Sequence, residues 1–338
     1  MKKVLLALCA VLMLTTACKK DDNQSPSGNG QGTEQPTTIP TGEGVFNPAQ
    51  RIVSIMVDGV ESEEWIWEDD MLNTIVTGAG ETSTFEYNNY RVVTMYSSME
   101  GMPFSVDYTY NGDKLATVAA TSGTMNVLNV VFSHNAAGKV SHLTVNVNSM
   151  LLGMLSQFFG GGIPDFGFKE SPKWSVDNVA INADVTWQGD NVSQVIFNVQ
   201  LDGNVTLGEV RQMVNIDSLA GSYASLLTFI PDSTLIPLNI DMKDTTVYTY
   251  DSHPNPFCGF LGALDLTNFS SNNATSSARS GAATITATLN LGYYQLPFSF
   301  PYPISSSSDT FTYTYNAQGF PQTVTNGEGS VTQYSYQQ

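Results

Sequence analysis

Three histidines and one acidic run are the residues whose types and spacing could support metal binding or acid–base chemistry. With a four-residue turn, His134 pairs with Lys139, so His142 points to the opposite face of the hairpin, and His253 is expected to be solvated. The acidic run at 61–70 lacks the spacing of a calcium loop, so we expect solvated charges. The sequence contains no hydrolase, metalloprotease or phosphate-loop motif. It therefore predicts no bound metal, no cofactor and no enzymatic activity.

A glycine-rich segment at 160–174 carries the candidate ligand-binding residues Phe166, Phe168 and Trp174. Aromatic side chains on such a segment can stack on a sugar or hold a peptide, and they can equally pack beneath a sheet. Paired carboxylates of a glycoside hydrolase need only meet in space, so scattered acidic residues leave a glycan-handling hydrolase as an alternative.

Cys18 is the residue with the clearest chemistry. Lys2 and Lys3 precede an apolar stretch at 4–14 that is too short to span a bilayer, and small residues lead to Ala17-Cys18. This order resembles a bacterial lipobox. It predicts a signal peptide at 1–17 and a mature protein that begins at an acylated Cys18, whereas the alternative is an ordinary secretory signal. Several acyl chains hold a protein on a membrane where one barely does.

A polar stretch at 19–44 follows the lipid site and is rich in Gly, Ser, Thr, Pro, Gln and Asn. Such a composition cannot bury a core, so we expect a flexible tether that spans about 28–30 Å. The first residues, Lys19-Lys20-Asp21-Asp22, resemble the Lys/Asp-rich export tag of surface lipoproteins in Bacteroidota. They favour the cell surface over a periplasm-facing position at the outer membrane.

The acidic balance and the cysteines limit the possible partners. The net charge of −18 argues against nucleic acid and against electrostatic docking on anionic lipid. Cys9 leaves with the signal peptide, so Cys258 has no partner for a disulfide in the mature chain. Because Cys258 lies between Phe257 and Phe260, we expect a buried apolar thiol.

From residue 45 to residue 338 the chain repeats a unit of an aromatic pair, a polar turn and two aliphatic residues. In one copy, Tyr108 and Tyr110 lead through Asn111-Gly112 to Leu115 and Val118. Further copies begin at Trp65, Phe85, Phe132, Val185 and Tyr313. Turns of this kind join antiparallel strands. The array predicts an all-β protein, a long antiparallel meander that forms a strongly curved or nearly closed, barrel-like sheet.

Two apolar segments interrupt the array. The segments 149–159 and 217–229 are predicted to form short helices that cover or plug the apolar face of the sheet. Alternation along the strands does not tell whether that face meets lipid or a protein core, but the predicted strands are mostly shorter than the 9–11 residues of a transmembrane strand. Trp65 and Trp67 share a strand face and are expected in the core.

The Tyr-x-Tyr-Asn-x-x-Gly unit resembles the tyrosine–aspartate repeat of large bacterial shell proteins. The chain is also similar, over residues 50–338, to a Bacteroidota lipoprotein family of unknown function with a porin-like fold, which has a late element like Asn255-Pro256-Phe257. That resemblance implies a curved β-meander at the envelope, and it supplies no catalytic residues.

These observations predict a lipoprotein of the outer membrane with a signal peptide at 1–17, a lipidated tether at 18–44 and one β domain at 45–338. The function that fits best is a non-enzymatic binding module for a glycan, a peptide or a partner protein of the envelope. The alternatives are the hydrolase above and a structural partner of an outer-membrane complex.

Overall fold

The computed structural model describes most of the predicted β domain. The described residues are 42–99, 102–147, 175–213, 229–262, 265–291 and 294–337. The signal peptide, Cys18 and the tether as far as residue 41 lie outside them, so these assignments stay predictions.

The described residues form sixteen antiparallel strands in one hydrogen-bonded sheet. Each strand neighbours the next along the chain, and β16 returns to pair with β1, so the sheet is a closed barrel. The predicted all-β antiparallel meander is confirmed, and the sheet closes fully. The strands are β1 (Ile52–Val57), β2 (Val60–Glu68), β3 (Met71–Thr77), β4 (Thr82–Asn88), β5 (Arg91–Met99), β6 (Met102–Asn111), β7 (Lys114–Ser122), β8 (Met125–His134), β9 (Val140–Val147), β10 (Ser175–Gln188), β11 (Asn191–Thr206), β12 (Leu235–Pro254), β13 (Asn272–Leu291), β14 (Tyr294–Tyr315), β15 (Pro321–Asn326) and β16 (Val331–Tyr336).

The chain divides into two compact units. Unit 1 holds the described parts of Asn126–Thr249 and Ser276–Asp309. Unit 2 holds those of Cys9–Met125, Tyr250–Thr275 and Thr310–Gln338.

Each aromatic pair faces the aliphatic residues that follow it in the sequence. Tyr108 lies opposite Val118 and Tyr110 lies opposite Leu115, with a bulge between Thr109 and Tyr110. The same pairing with the same bulge recurs at Trp65–Ile75 and Trp67–Leu72, Phe85–Met95 and Tyr87–Val92, Val185–Val195 and Trp187–Val192. The extra residue lies on the second strand, as Ala116 does between Leu115 and Thr117, and it lets two aliphatic residues three positions apart share the face of the aromatic pair.

The hairpin at His134 differs in register from the prediction. His134 lies opposite Val140, not Lys139, because a bulge falls between Ser133 and His134. The turn is one residue longer than predicted, since the Asn135 backbone N–H donates to Lys139 O at 2.9 Å and the Asn135 side chain accepts from Lys139 N at 3.1 Å.

The second aromatic side chain of a hairpin also hydrogen-bonds to the hairpin before it. Tyr110 Oη, for example, donates to the backbone oxygen of Val92, the residue opposite Tyr87. These bonds satisfy the tyrosine hydroxyl or tryptophan N–H group, which would otherwise be buried without a partner, and they join neighbouring hairpins. The described set comprises Trp67 to Ile52 O (2.7 Å), Tyr87 to Leu72 O (2.7 Å), Tyr110 to Val92 O (2.7 Å) and Tyr336 to Pro321 O (2.6 Å) in unit 2, and Trp187 to Val140 O (2.6 Å) in unit 1.

Neither predicted helix is found among the described residues. The segment 149–159 and all of 217–229 except Phe229 lie outside them, and Phe229 is an exposed turn residue. One helix that the sequence did not predict, α1 (Leu207–Met213), follows β11. None of the described helices is long and apolar enough to cross a membrane.

The apolar face of the long strands in unit 1 meets a protein core. Along β12, Ile236, Leu238 and Ile240 are buried, whereas the alternate residues Asp241 and Lys243 are exposed. The buried cluster also contains Val205, Leu207, Val210, Ala283, Ile285, Ala287, Leu289, Phe298 and Ile304. A transmembrane barrel carries its apolar band on the exposed side, so this strand has the opposite polarity.

In unit 2 a connection built of turns covers the apolar face. The segment 255–271 joins β12 to β13, and its described residues, 255–262 and 265–271, include the 3₁₀ turn Leu266–Phe269. Phe260 packs against Trp65 with ring centroids 5.0 Å apart, and Tyr108 Oη donates to Leu261 O at 3.0 Å. We call the described residues of this connection, 255–262 and 265–271, the plug.

The plug exposes Cys258, and the predicted burial of its thiol is therefore wrong. Phe257 and Phe260 both pack on Trp65, at 5.9 and 5.0 Å. The turn between them, closed by the Phe260 N–H donating to Phe257 O at 2.9 Å, leaves the side chain of Cys258 in solvent.

The chain enters unit 2 through an ordered segment. Residues 42–44, at the end of the predicted tether, contact the sheet. The Glu43 carboxylate accepts from Leu115 N at 2.6 Å, and Gly44 O accepts from Val92 N at 3.0 Å. Gly44 has φ +78° and approaches Tyr110 so closely that a Cβ would lie 2.0 Å from its hydroxyl. Phe46 follows and is buried.

Candidate functional site

The structure does not describe the candidate lipid-attachment and ligand-binding residues predicted from the sequence. Cys18, Phe166, Phe168 and Trp174 lie outside the described residues. Their roles in lipid attachment and ligand binding stay predictions.

The histidines do not assemble a metal site. His142 lies on an exposed strand face, where its Nδ1 is 2.7 Å from Asp184 Oδ1. His253 is not simply solvated as predicted, because its ring stacks on that of Tyr315 at a centroid distance of 3.7 Å. Among the described residues, no group of three or more His, Cys, Asp or Glu side chains could hold a metal ion.

A polar network joins strand ends in unit 2 where the plug begins. Asp251 accepts hydrogen bonds from the Tyr315 hydroxyl, from His253 N at 2.9 Å and from Asn273 N at 3.3 Å. Burial, followed by the bond to Asp251, raises the pKa of Tyr315. These bonds tie the ends of β12, β13 and β14 together, so the network positions the plug.

The acidic run at 61–70 is split between two environments. Glu63 accepts from Trp65 Nε1 at 2.7 Å, and burial raises its pKa. Asp69 and Asp70 form the exposed turn between β2 and β3, with φ of 45° and 70°. The prediction of solvated charge holds for the turn and fails for Glu63.

An open pocket in unit 2 lies where the chain enters β1. Its volume is about 460 Å³, within the range of small-molecule sites. We call it the Arg51 pocket. It is lined by Asn47, Pro48, Ala49, Gln50, Arg51 and Gln337.

The pocket follows from two buried anchors that flank a short polar segment. Phe46 is 6% exposed and Ile52 is 1% exposed, so the chain is fixed on both sides of residues 47–51. Gln337 reaches the same place because β16 pairs with β1, and its backbone N–H donates to Arg51 O at 2.8 Å. Closure of the sheet therefore brings the two ends of the domain together at the pocket.

The Arg51 guanidinium is held from two sides. Its Cζ lies 5.3 Å from the centroid of the Trp67 ring, and its Nη2 is 2.7 Å from Asp70 Oδ1. The Trp67 ring is itself fixed, since its Nε1 donates to Ile52 O at 2.7 Å. The cation–π contact and the ion pair together hold the guanidinium at this position.

The amide side chains of the pocket are available to a ligand. In the part of the chain that the structure describes, no hydrogen bond engages the side chains of Asn47, Gln50 or Gln337. Each primary amide offers two donors and one acceptor, and the guanidinium offers further donors. The arrangement can therefore bind a ligand rich in hydroxyl or carboxylate oxygens.

Sequence reasoning missed this pocket. Arg51 is one of only 13 basic residues in a chain with 31 acidic ones, and that rarity was the available signal. The contribution of Gln337 carried no local signal, because it depends on the pairing of β1 with β16.

Comparisons with known proteins add little to this picture. No protein-family model matches the chain, and no curated protein matches it. Among solved structures, a porin-like protein from Bacteroides uniformis is similar at 10% sequence identity, over 87% of this chain and 100% of that chain, with a TM-score of 0.21. A score of that size carries no argument, so the barrel is established by the strand pairing of this chain alone.

Proposed function

We propose that this protein is a non-enzymatic binding module of the bacterial envelope, held at the outer membrane by a lipid on Cys18, and that the Arg51 pocket binds a glycan. The observation that carries the proposal is the pocket itself. Its guanidinium is fixed by Trp67, and the amides of Asn47, Gln50 and Gln337 have no hydrogen-bond partner among the described residues.

The chemistry of the lining favours a sugar over an apolar ligand. Of the six described residues that line it, Pro48 and Ala49 are apolar, and the other four carry amide or guanidinium groups. Sugar hydroxyl groups both donate and accept hydrogen bonds, as amides do. The pocket is open, so a longer glycan can occupy it with one residue and continue into solvent.

The polarity of the strands supports a lipid anchor as the means of membrane attachment. Asp241 and Lys243 lie on the exposed side of β12, opposite the buried Ile240. Charged side chains on a lipid-facing strand are destabilising by about 2–4 kcal/mol for Lys at the bilayer midplane. An outer face with these charges on β12 fits water, and the acyl chains of Cys18 would hold the domain at the membrane.

Glycan binding is tested with the mature chain carrying Cys18→Ala, which is free of lipid, on an array of bacterial and host glycans. Hits are then titrated by calorimetry. The double variant Asn47→Ala/Gln50→Ala should weaken binding about tenfold, because each lost hydrogen bond contributes about 0.5–1.5 kcal/mol. The matched control is Gln200→Ala, an exposed amide on β11 outside the pocket, which should bind normally.

Two results would contradict the proposal. If no glycan binds the wild-type chain, or if the pocket variant binds as well as Gln200→Ala, the pocket is not a glycan site. Turnover of a bound glycan, abolished by replacement of one carboxylate, would replace the binding module with the hydrolase alternative.

The anchor is tested separately in cells. Cys18→Ala should move the protein from the membrane fraction to the soluble fraction, whereas the wild-type chain stays in the pellet after a carbonate wash. Protease treatment of intact cells should remove a C-terminal tag from the wild-type protein if Lys19 to Asp22 direct it to the surface. Protection until permeabilisation would place it on the periplasmic side.

A further inference from the structure

We propose that Arg51 recognises the carboxylate of an acidic sugar, a single uronic acid within the glycan, and that Asp70 is a built-in competitor for the same guanidinium. The proposal rests on the proposed glycan-binding function and names the ligand class of that site. The ligand carboxylate takes the place of Asp70 on Arg51, and neighbouring hydroxyl groups meet the amides of the pocket.

The geometry of Arg51 suits a carboxylate. The Arg51 Cζ lies over the Trp67 ring, 5.3 Å from its centroid, and this cation–π contact holds the guanidinium beside the pocket. Of its five N–H donors, the one described hydrogen bond uses Nη2, which donates to Asp70 Oδ1. A planar fork held in this way binds a carboxylate through two parallel hydrogen bonds.

Asp70 is placed so that it can leave without disturbing the fold. Its side chain is 58% exposed, and it lies in the turn between β2 and β3, whereas the Arg51 side chain is 23% exposed. Exposed ion pairs contribute only about 0–1 kcal/mol. A ligand carboxylate that also gains hydrogen bonds to the amides can therefore displace Asp70.

The charge of the whole chain limits the ligand to few carboxylates. A net charge of −18 repels a polyanionic chain, and salt screens this repulsion only beyond about 8 Å. A neutral glycan with one uronate brings a single carboxylate to the single guanidinium of the pocket and avoids most of this repulsion. A peptide with a C-terminal carboxylate fits less well, since Pro48 and Ala49 are the only apolar contacts that the lining offers.

The test uses the mature chain with Cys18→Ala and two probes, a disaccharide that contains one glucuronic acid and the corresponding neutral disaccharide with glucose. Asp70→Asn should tighten binding of the acidic probe about two- to fivefold, the equivalent of an exposed ion pair, and leave the neutral probe unchanged. Asp69→Asn is the matched control, because it removes the same charge from the same turn. Its effect should be smaller.

Arg51→Gln should abolish the preference for the acidic probe, with the melting temperature showing that the domain is folded. Weaker binding of the acidic probe to Asp70→Asn would overturn the competitor role. If the wild-type chain binds both probes equally and Asn47→Ala/Gln50→Ala loses that binding, the acidic-sugar proposal is overturned and the glycan-binding function stands. Binding of neither probe nor any array glycan would refute both, and tighter binding of a peptide carboxylate would replace the sugar.

Discussion

Replacement of Arg279 should strongly lower the free energy of unfolding of unit 1, because Arg279 is the ion-pair partner of a buried carboxylate. Arg279 Nε donates to Asp244 Oδ2 at 2.6 Å, and its Nη2 contacts the same oxygen. Asp244 is 1% exposed, and its Oδ1 has no hydrogen-bond partner among the described residues. Arg279→Met would leave a carboxylate inside the barrel with no cationic partner.

The two partners should differ in the size of their effects. A buried ion that loses its partner costs about 3–5 kcal/mol, which we expect for Arg279→Met. Asp244→Val should cost less, about 1.5–3 kcal/mol, because the Arg279 side chain is 16% exposed and can turn towards water. The double variant removes both charges, so it should lie within about 1 kcal/mol of the wild-type chain.

Urea unfolding followed by tryptophan fluorescence measures these free energies of unfolding. The dependence of the free energy on urea concentration should have the same slope in all variants. Arg211→Met is the control, because the Arg211–Asp232 pair in the same unit is more exposed and should contribute under about 1 kcal/mol. A loss below about 1 kcal/mol for Arg279→Met, or a double variant as unstable as the sum of the single ones, would refute the reasoning.

Three other changes test the architecture of unit 2. Tyr110→Phe leaves Val92 O without its donor and should lower the free energy of unfolding by about 1–2 kcal/mol in urea titrations. Phe260→Ala removes a plug side chain that is 8% exposed and should cost about 3–5 kcal/mol, measured in the same way. Hydrogen bonding by the Val331 backbone lowers the pKa of Asp58 in the folded protein. The ionised carboxylate therefore stabilises the fold fully above the pKa that Asp58 has in the unfolded chain, and this contribution is lost as the pH falls through its folded pKa. Asp58→Asn should therefore narrow the difference in melting temperature between about pH 6 and about pH 3, and an unchanged difference would contradict this assignment.

The hairpins could be predicted from the sequence because their signals are local. Tyr108 and Tyr110 lie within ten residues of Leu115 and Val118, and the turn residues between them specify the pairing. The bulge shows in the sequence only as the three-residue spacing of Val140 and Leu143, and a pairing drawn without it places His134 opposite Lys139 instead of Val140. The helices predicted from apolar segments at 149–159 and 217–229 lie outside the described residues, whereas α1 was missed because seven residues are too few to show a helical period.

The candidate site could not be predicted because it is made of non-local contacts. Arg51 and Gln337 come from opposite ends of the domain and meet only where β1 pairs with β16. The plug has a local signal in Phe257 and Phe260, and the sequence predicts burial there for Cys258, but the segment's contact with Trp65 joins residues far apart in the chain. A turn that carries large aromatic residues between two strands indicates a segment folded back onto the sheet.

Polar and apolar residues alternate both in barrels that cross a membrane and in barrels that enclose a protein core. The two kinds are distinguished by which face of the strands is buried. In β12 the buried face carries Ile236, Leu238 and Ile240, and Asp241 and Lys243 lie on the exposed one. Burial of that apolar face contributes roughly 25 cal/mol per Å² to folding, and turning it outward would forfeit this contribution and place charges against lipid. For β12, stable folding with this apolar face buried is therefore incompatible with contact between its charged outer residues and lipid.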